Sequence, residues 1–329
     1  MIDEPKRERE GLAVESTGPA PRFAKQAGQG RIIAIKQVDA FTETPLTGNP
    51  AGVVVAADGL SDLEMQVIAR EMSAPETSFV LSSTTPVADL RIRWFSPSME
   101  IPLCGHATIA AFHALAEEGR YGMKDPGTYT FRLETKSGVL PVGVEKSGDG
   151  IDVTFGLNVP EFIRAGQYKL DAMRILNMSL EEFENRMPIC VANYLYVPVR
   201  RLHTLFSLKP NFFAMSQFLS NRNLSGLCVF TTETVDRTSS VHSRFFAPTM
   251  GINEDPVTGS ANGPLGVYLF ERGELEAVDG VVKIVGEQGD AIGRKGRVTI
   301  RLTVQGTQVT SVQIGGRAVT VLAGELRVG

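Results

Sequence analysis

From residue 31 onward the chain reads as short runs of β-branched, aromatic and other apolar residues cut by Gly, Pro, Asn and Asp, the signature of strands and turns. RIIAIKQVDAF predicts a strand, TPLTGNPAG a turn and VVVAA a second, buried strand. Ser61 and Glu64 have the spacing of a capping box and predict a helix through SDLEMQVIAREM. SAPETSFVLSS and ADLRIRWFSP return to extended chain, and the Ala-rich CGHATIAAFHALAEEG predicts a helix ended at Gly119. Strands dominate from GTYTFRLETKSG through GIDVTFGL. The proline and the lost periodicity of LNVPEF then mark a linker.

The second half repeats this grammar. LDAMRILNMSLEEFENRM and NFFAMSQFLSNRN predict helices and LCVFTTETV a strand. HSRFFAP predicts a strand leading into an apolar helix, GPLGVYLFERG, and almost everything from VKIVGEQGD to the end predicts strand and turn. Long runs of strand with one apolar helix in each half imply two α+β domains, each a sheet wrapped on a helix. A doubly wound parallel fold needs a more regular alternation.

Self-similarity supports that division. Arg93–Ile101 (RWFSPSMEI) lies over Arg244–Ile252 (RFFAPTMGI) at a spacing of 151 residues, with five of nine positions identical. A tandem duplication whose copies face each other across a cleft accounts for it. The same spacing carries Cys104 onto Asp255, two groups able to handle protons from opposite faces of a substrate. Each copy also places small residues at a helix start, Gly105-His106-Ala107-Thr108 and Thr258-Gly259-Ser260-Ala261. Free backbone N–H groups and the positive dipole end favour a carboxylate there. Ordinary capping explains one such start, whereas two in corresponding places point to a small anionic ligand held at both.

Composition narrows the class of function. A net charge of -4 leaves no basic face for nucleic acid, and no apolar run approaches the roughly 20 residues of a membrane span. Three scattered cysteines and four scattered histidines give neither a disulfide framework nor a metal-ligand spacing, so no metal is expected and a reducing cytoplasm fits best. The first residues, MIDEPKREREGLAVESTGPAPRF, lack the apolar segment of a secretory signal and read as a flexible extension. No dinucleotide or phosphate-loop fingerprint and no hydrolase elbow occur.

VDAFTETPLTGNPAGVVV, EMSAPETSFVL, RWFSPSMEIPLCGHATIAAF, RFFAPTMGINEDPVTGSANGPLGVYL and GEQGDAIGRKGRVTIRL together resemble the phenazine-biosynthesis (PhzF-like) family, whose fold is that of the diaminopimelate epimerases and proline racemases. The resemblance implies an α+β fold of two similar, pseudo-symmetric domains, each a curved mixed sheet around a central helix, with the active site between them. It implies a first domain of residues 32–157 plus 318–329 and a second of residues 158–317, after an extension over 1–31. It also implies a homodimer and an isomerase that uses no cofactor. Glu76 in the ETSFV block becomes the general acid/base, with His106, Asp255 and Ser260 lining the same pocket beside Gly105, Thr258 and Gly259.

The residues agree with that assignment. A carboxyl held among Phe79, Val80 and Leu81 is pushed towards neutrality and can both take and return a proton. A histidine at a helix start is kept neutral by the dipole. Cys104 reads as a structural thiol, because a second cysteine is missing at its partner position. Two alternatives stay open: an amino- or hydroxy-acid epimerase or racemase using Cys104 and Asp255, and a non-catalytic binding protein on the same fold. Arg294 is a candidate carboxylate contact or a surface turn, and Asn49 a residue that holds the cleft lining.

Overall fold

A computed structural model describes residues 30–328. The extension read at residues 1–31 lies outside the described residues except for its last two, and Arg31 already opens β1 (Arg31–Ala40). β2 (Asn49–Val54) runs antiparallel to β1. α1 (Asp62–Met72) begins at the Ser61–Glu64 capping box and ends where Ser73 turns left-handed. β3 (Glu76–Leu81) lies parallel to β2, β4 (Leu90–Phe95) antiparallel to β3, and β5 (Glu100–Ile101) folds back on β4. After α2 (Gly105–Glu117), β6 (Gly127–Thr135) joins β4 in parallel. β7 (Gly138–Ser147) and β8 (Gly150–Leu157) continue antiparallel from it.

The linker leads to β9 (Ile163–Arg164), α3 (Lys169–Leu176), β10 (Cys190–Val191), β11 (Leu195–Pro198), α4 (Leu202–Ser207) and α5 (Phe212–Ser220). β12 (Leu227–Thr231), β13 (Val241–Ala247) and β14 (Ile252–Asp255) follow, then α6 (Gly259–Glu271), β15 (Val281–Gln288), β16 (Gly296–Gln305) and β17 (Gln308–Val328). Here β11 is parallel to β12, β12 antiparallel to β13, β14 folds back on β13, and β15 joins β13 in parallel. β16 and β17 continue antiparallel. The order of pairings is that of β2 to β8.

β17 ties the two series together. Its first residues pair with β16, residues 312–317 pair with β8, and residues 318–328 pair with β1 along its whole length. Strands β1, β2, β3, β4, β6, β7 and β8 therefore close on themselves through β17, with α2 inside. α2 is buried on every side from His106 to Ala116, and α6 from Ala261 to Leu269. A helix apolar all round needs such a wrapping to be stable. None of the helices described is long and apolar enough to cross a membrane.

The structure departs from the sequence reading at three places. α6 begins at Gly259, as the small residues at Thr258-Gly259-Ser260-Ala261 implied, and so extends four residues ahead of the apolar stretch GPLGVYLFERG and carries Pro264 inside its first two turns. Tertiary burial of the helix outweighs the one hydrogen bond that Pro264 forgoes. The long helix read through LDAMRILNMSLEEFENRM stops at Leu176, because Asn177 turns left-handed at φ 51° and Ser179 starts a separate short turn with its own capping box. β11 and α4, in NYLYVPVRRLHTLFS, had no periodic signal long enough to be seen.

Candidate active site

The starts of α2 and α6 meet at a cavity of about 210 Å³. Cys104 is the N-cap of α2 and Thr258 that of α6, so Gly105 and Gly259 open the two helices and His106 and Ser260 follow in second position. Cap therefore faces cap: Cys104 corresponds to Thr258 and His106 to Ser260. The caps are 154 residues apart (258 − 104), three more than the strand motif, because β14 (Ile252–Asp255) runs on past the point where β5 (Glu100–Ile101) ends, while the links to α6 and α2 are equally long. This corrects the pairing of Cys104 with Asp255 read from the repeat, although both residues line the cavity.

All eight candidate residues come together here. Glu76, Cys104, Gly105, His106, Asp255, Thr258, Gly259 and Ser260 line one wall or another, among the apolar side chains of Leu103, Phe155, Leu157, Phe245 and Ile252. No lysine or arginine is among the lining residues. Negative charge on a ligand must therefore be met by the two helix starts, whose N–H groups and dipoles point into the space. Gly259 is required by close packing, since a Cβ there would run into Ile314 and Phe41.

Glu76 opens β3, held in parallel register beside Ala51 of β2. The residue is 7% exposed, and its Oε2 lies 3.2 Å from His106 Nε2. Burial, helped by the charge of Asp255 and opposed by a hydrogen bond with Cys104, pushes Glu76 up from 4.5 to about 7. Burial pulls His106 down to about 3, so the contact joins a neutral imidazole to a carboxyl and is not an ion pair. Cys104 Sγ lies 3.5 Å from His106 Nδ1. Burial first, and then the charge of Glu76, raises this thiol well above its ordinary range, so it stays protonated.

Asp255 ends β14 and is gripped from several sides. Asn49 Nδ2 donates to Oδ1 at 2.9 Å and to the Val257 carbonyl at 2.8 Å, and the Thr258 hydroxyl donates to Oδ2. Burial raises Asp255 to about 6 against these hydrogen bonds. Gln288 Nε2 donates to the Asp255 carbonyl at 2.8 Å, while its Oε1 accepts from Thr258 N and from Asn262. Tyr194 brings its hydroxyl to 3.0 Å from Ser260 Oγ and stacks edge-on against Phe245. Gln288 and Tyr194 escaped the sequence reading. Gln288 stood inside the quoted GEQGDAIG block, whereas nothing around Tyr194 distinguished it from a core tyrosine.

Arg294 does not reach the cavity. It donates to Asp39 Oδ1 at 2.8 Å and to the carbonyls of Thr47 and Gly48, pinning the turn that precedes Asn49. The ligating atoms of Glu76, Cys104 and His106 all lie within 4.8 Å of one another, a group of three with the donor types and spacing to hold a metal ion.

A mixed sheet wrapped on buried helices is a fold also found in epimerases. A hydroxyproline epimerase from Agrobacterium vitis with bound trans-4-hydroxy-L-proline shares the fold, with a TM-score of 0.58 at 15% identity over 91% of this chain and 92% of that one. A phenazine biosynthesis protein of the PhzF family from Bacillus anthracis superposes with a TM-score of 0.81 at 33% identity, covering 90% of this chain and 99% of the other. An uncharacterized isomerase of Clostridium acetobutylicum is 39% identical over 297 residues, 88% of this chain and 96% of the relative. A family profile described as phenazine biosynthesis-like protein matches residues 38–324, and the chain belongs to that family. It is an enzyme of the isomerase class.

Proposed function

We propose that the enzyme moves a proton within a small carboxylate metabolite by general acid/base transfer at Glu76, without a cofactor, in a cleft between two pseudo-symmetric domains. The observation that carries this reading is the state of Glu76: a carboxyl of about 7, beside a neutral imidazole, at the edge of a cavity large enough for a small molecule. Such a group gives and takes a proton at neutral pH with nearly equal ease. The substrate carboxylate sits at the starts of α2 and α6. Glu76 removes a proton from one carbon and returns it to another, so the electron pairs shift within the substrate and nothing is oxidised or reduced. His106 hydrogen-bonds the Glu76 carboxyl and orients it. Asp255, held by Asn49 and Thr258, keeps negative charge near Glu76 and thereby its affinity for the proton.

The division into residues 32–157 plus 318–329 and residues 158–317 is supported by the matching order of strand pairings and by the return of β17 to β1. A cytoplasmic homodimer without nucleic-acid or membrane partners belongs to the same reading and rests on the family resemblance and the composition. An amino- or hydroxy-acid epimerase or racemase using Cys104 and Asp255 is the second reading, favoured by the place of both residues in the cavity wall. Burial that keeps the thiol protonated weighs against it.

Deuterium incorporation into a panel of cyclic and linear carboxylates, followed by NMR in deuterium oxide, tests the choice. The proposal expects exchange in the wild type and in Cys104→Ser but none in Glu76→Gln. Exchange that survives Glu76→Gln and dies in Cys104→Ser refutes it in favour of the epimerase.

A further inference from the structure

We propose that Glu76, Cys104 and His106 form a binding site for a thiophilic divalent cation such as zinc, and that a cation bound there switches off proton transfer. The site itself rests on geometry alone. Only the switching rests on the role given to Glu76 above.

The three donors are a carboxylate oxygen, a sulfur and an imidazole nitrogen, all buried and all within 4.8 Å of one another. His106 Nε2 is 3.2 Å from Glu76 Oε2 and 4.0 Å from Cys104 Sγ. Zinc bonds of about 2.0–2.3 Å space tetrahedral ligands about 3.3–3.6 Å apart, so closing the set takes shifts of at most about 1.2 Å between any two donors. An oxygen, nitrogen and sulfur set selects zinc or cobalt over magnesium or calcium, which want oxygen alone. Three protein ligands leave a fourth position facing the cavity, where a water fits.

Charge points the same way. Glu76, Cys104 and Asp255 line a cavity in which no lysine or arginine takes part. A dication balances the Glu76 carboxylate and the Cys104 thiolate, and the thiol proton, with any proton on Glu76, is released to solvent. With Oε2 on a dication, the Glu76 carboxylate loses basicity and no longer takes up a substrate proton at neutral pH. Other histidine–carboxylate contacts exist, His113 with Glu117 and His242 with Glu287, but neither includes sulfur. Cys190 and Cys228 lie in no such group among the described residues.

Cobalt(II) tests the site, because a thiolate on cobalt gives an intense near-ultraviolet charge-transfer band that nitrogen and oxygen ligands do not. The full chain, stripped with chelator, is titrated with cobalt chloride and then with zinc chloride. One equivalent of cobalt should raise the band, and zinc should abolish it. Cys104→Ser should lose the band, Cys190→Ser should keep it, and His106→Asn should bind cobalt at least tenfold more weakly. A missing band, or one that survives in Cys104→Ser, overturns the site. If the serine variant misfolds, His106→Asn decides the matter independently, and unweakened cobalt binding there overturns the site as well. One equivalent of zinc should also stop deuterium exchange of whichever carboxylate the wild type exchanges. Exchange that continues with the site filled overturns the switch. Exchange that survives Glu76→Gln overturns the acid/base reading instead and leaves the cobalt result standing.

Discussion

Asn49→Leu removes one side-chain donor with little change of volume, yet it acts on a carboxylate 206 positions away along the chain. Asn49 is fully buried, and its amide serves both Asp255 Oδ1 at 2.9 Å and the Val257 carbonyl at 2.8 Å. A hydrogen bond to a charged group is worth about 1.5–3 kcal/mol. At 1.36 kcal/mol per pH unit, its loss lifts Asp255 from about 6 by on the order of one to two pH units, which leaves it largely neutral at pH 7. The charge that helps hold Glu76 near 7 is then gone, so the Glu76 midpoint falls while that of Asp255 rises. Carbon-13 NMR of labelled aspartate and glutamate carboxyls reads the two midpoints directly, and the pH profile of deuterium exchange should follow them. Midpoints that both stay in place in a folded Asn49→Leu protein would refute the coupling and the role given to Asn49.

Further outcomes follow from the same packing. Glu76 binds its proton more tightly folded (about 7) than unfolded (4.5), so its contribution to stability is lost as pH rises through that window. Glu76→Gln should therefore gain up to about 3 kcal/mol over wild type at pH 8 and almost nothing at pH 4, by urea unfolding; an equal gap at both would contradict the burial argument. Glu287 is fully buried, accepts from Val235 N, Asp236 N and His242, and is held down at about 2. Glu287→Ala should cost about 3–5 kcal/mol in the same assay, and a loss under 1 kcal/mol would be incompatible with its pairing. Gly259→Val should push the start of α6 off Ile314 and Phe41 and abolish exchange while the fold survives by circular dichroism.

How much of this was legible in the sequence depended on how local the cause was. Ser61–Glu64, the Ala-rich α2 and the strand before each central helix were readable, because capping, composition and alternation act within a few residues. The start of α6 at Thr258-Gly259 was legible from its small residues, although Pro264, carried inside the helix, is a local signal that points further along and is overruled by burial. Glu76, His106, Asp255 and Ser260 could be gathered from their motifs, but the grip on Asp255 could not. Gln288 reaches it from β15 and Asn49 from β2, contacts created only when the strands assemble.

The mismatch between repeat and caps bears on mechanism. The strand motif repeats every 151 residues, yet the helices it feeds begin with Cys104 and His106 on one side and Thr258 and Ser260 on the other. A racemase that works from both faces needs two groups of matched basicity, and a threonine hydroxyl facing a protonated thiol supplies neither. On the side of α2 the neutral His106 stands next to the carboxyl of Glu76; on the side of α6, Ser260 is tied to Tyr194. In the proposed reading Glu76 handles the proton, while the α6 side offers hydroxyls, backbone N–H groups and the Asp255 carboxyl, which Asn49 and Thr258 hold by hydrogen bonds. If Glu76 alone takes and returns the proton, as proposed, hydrogen moves along a single side of the substrate, and a racemase that needs a second base on the opposite side is disfavoured.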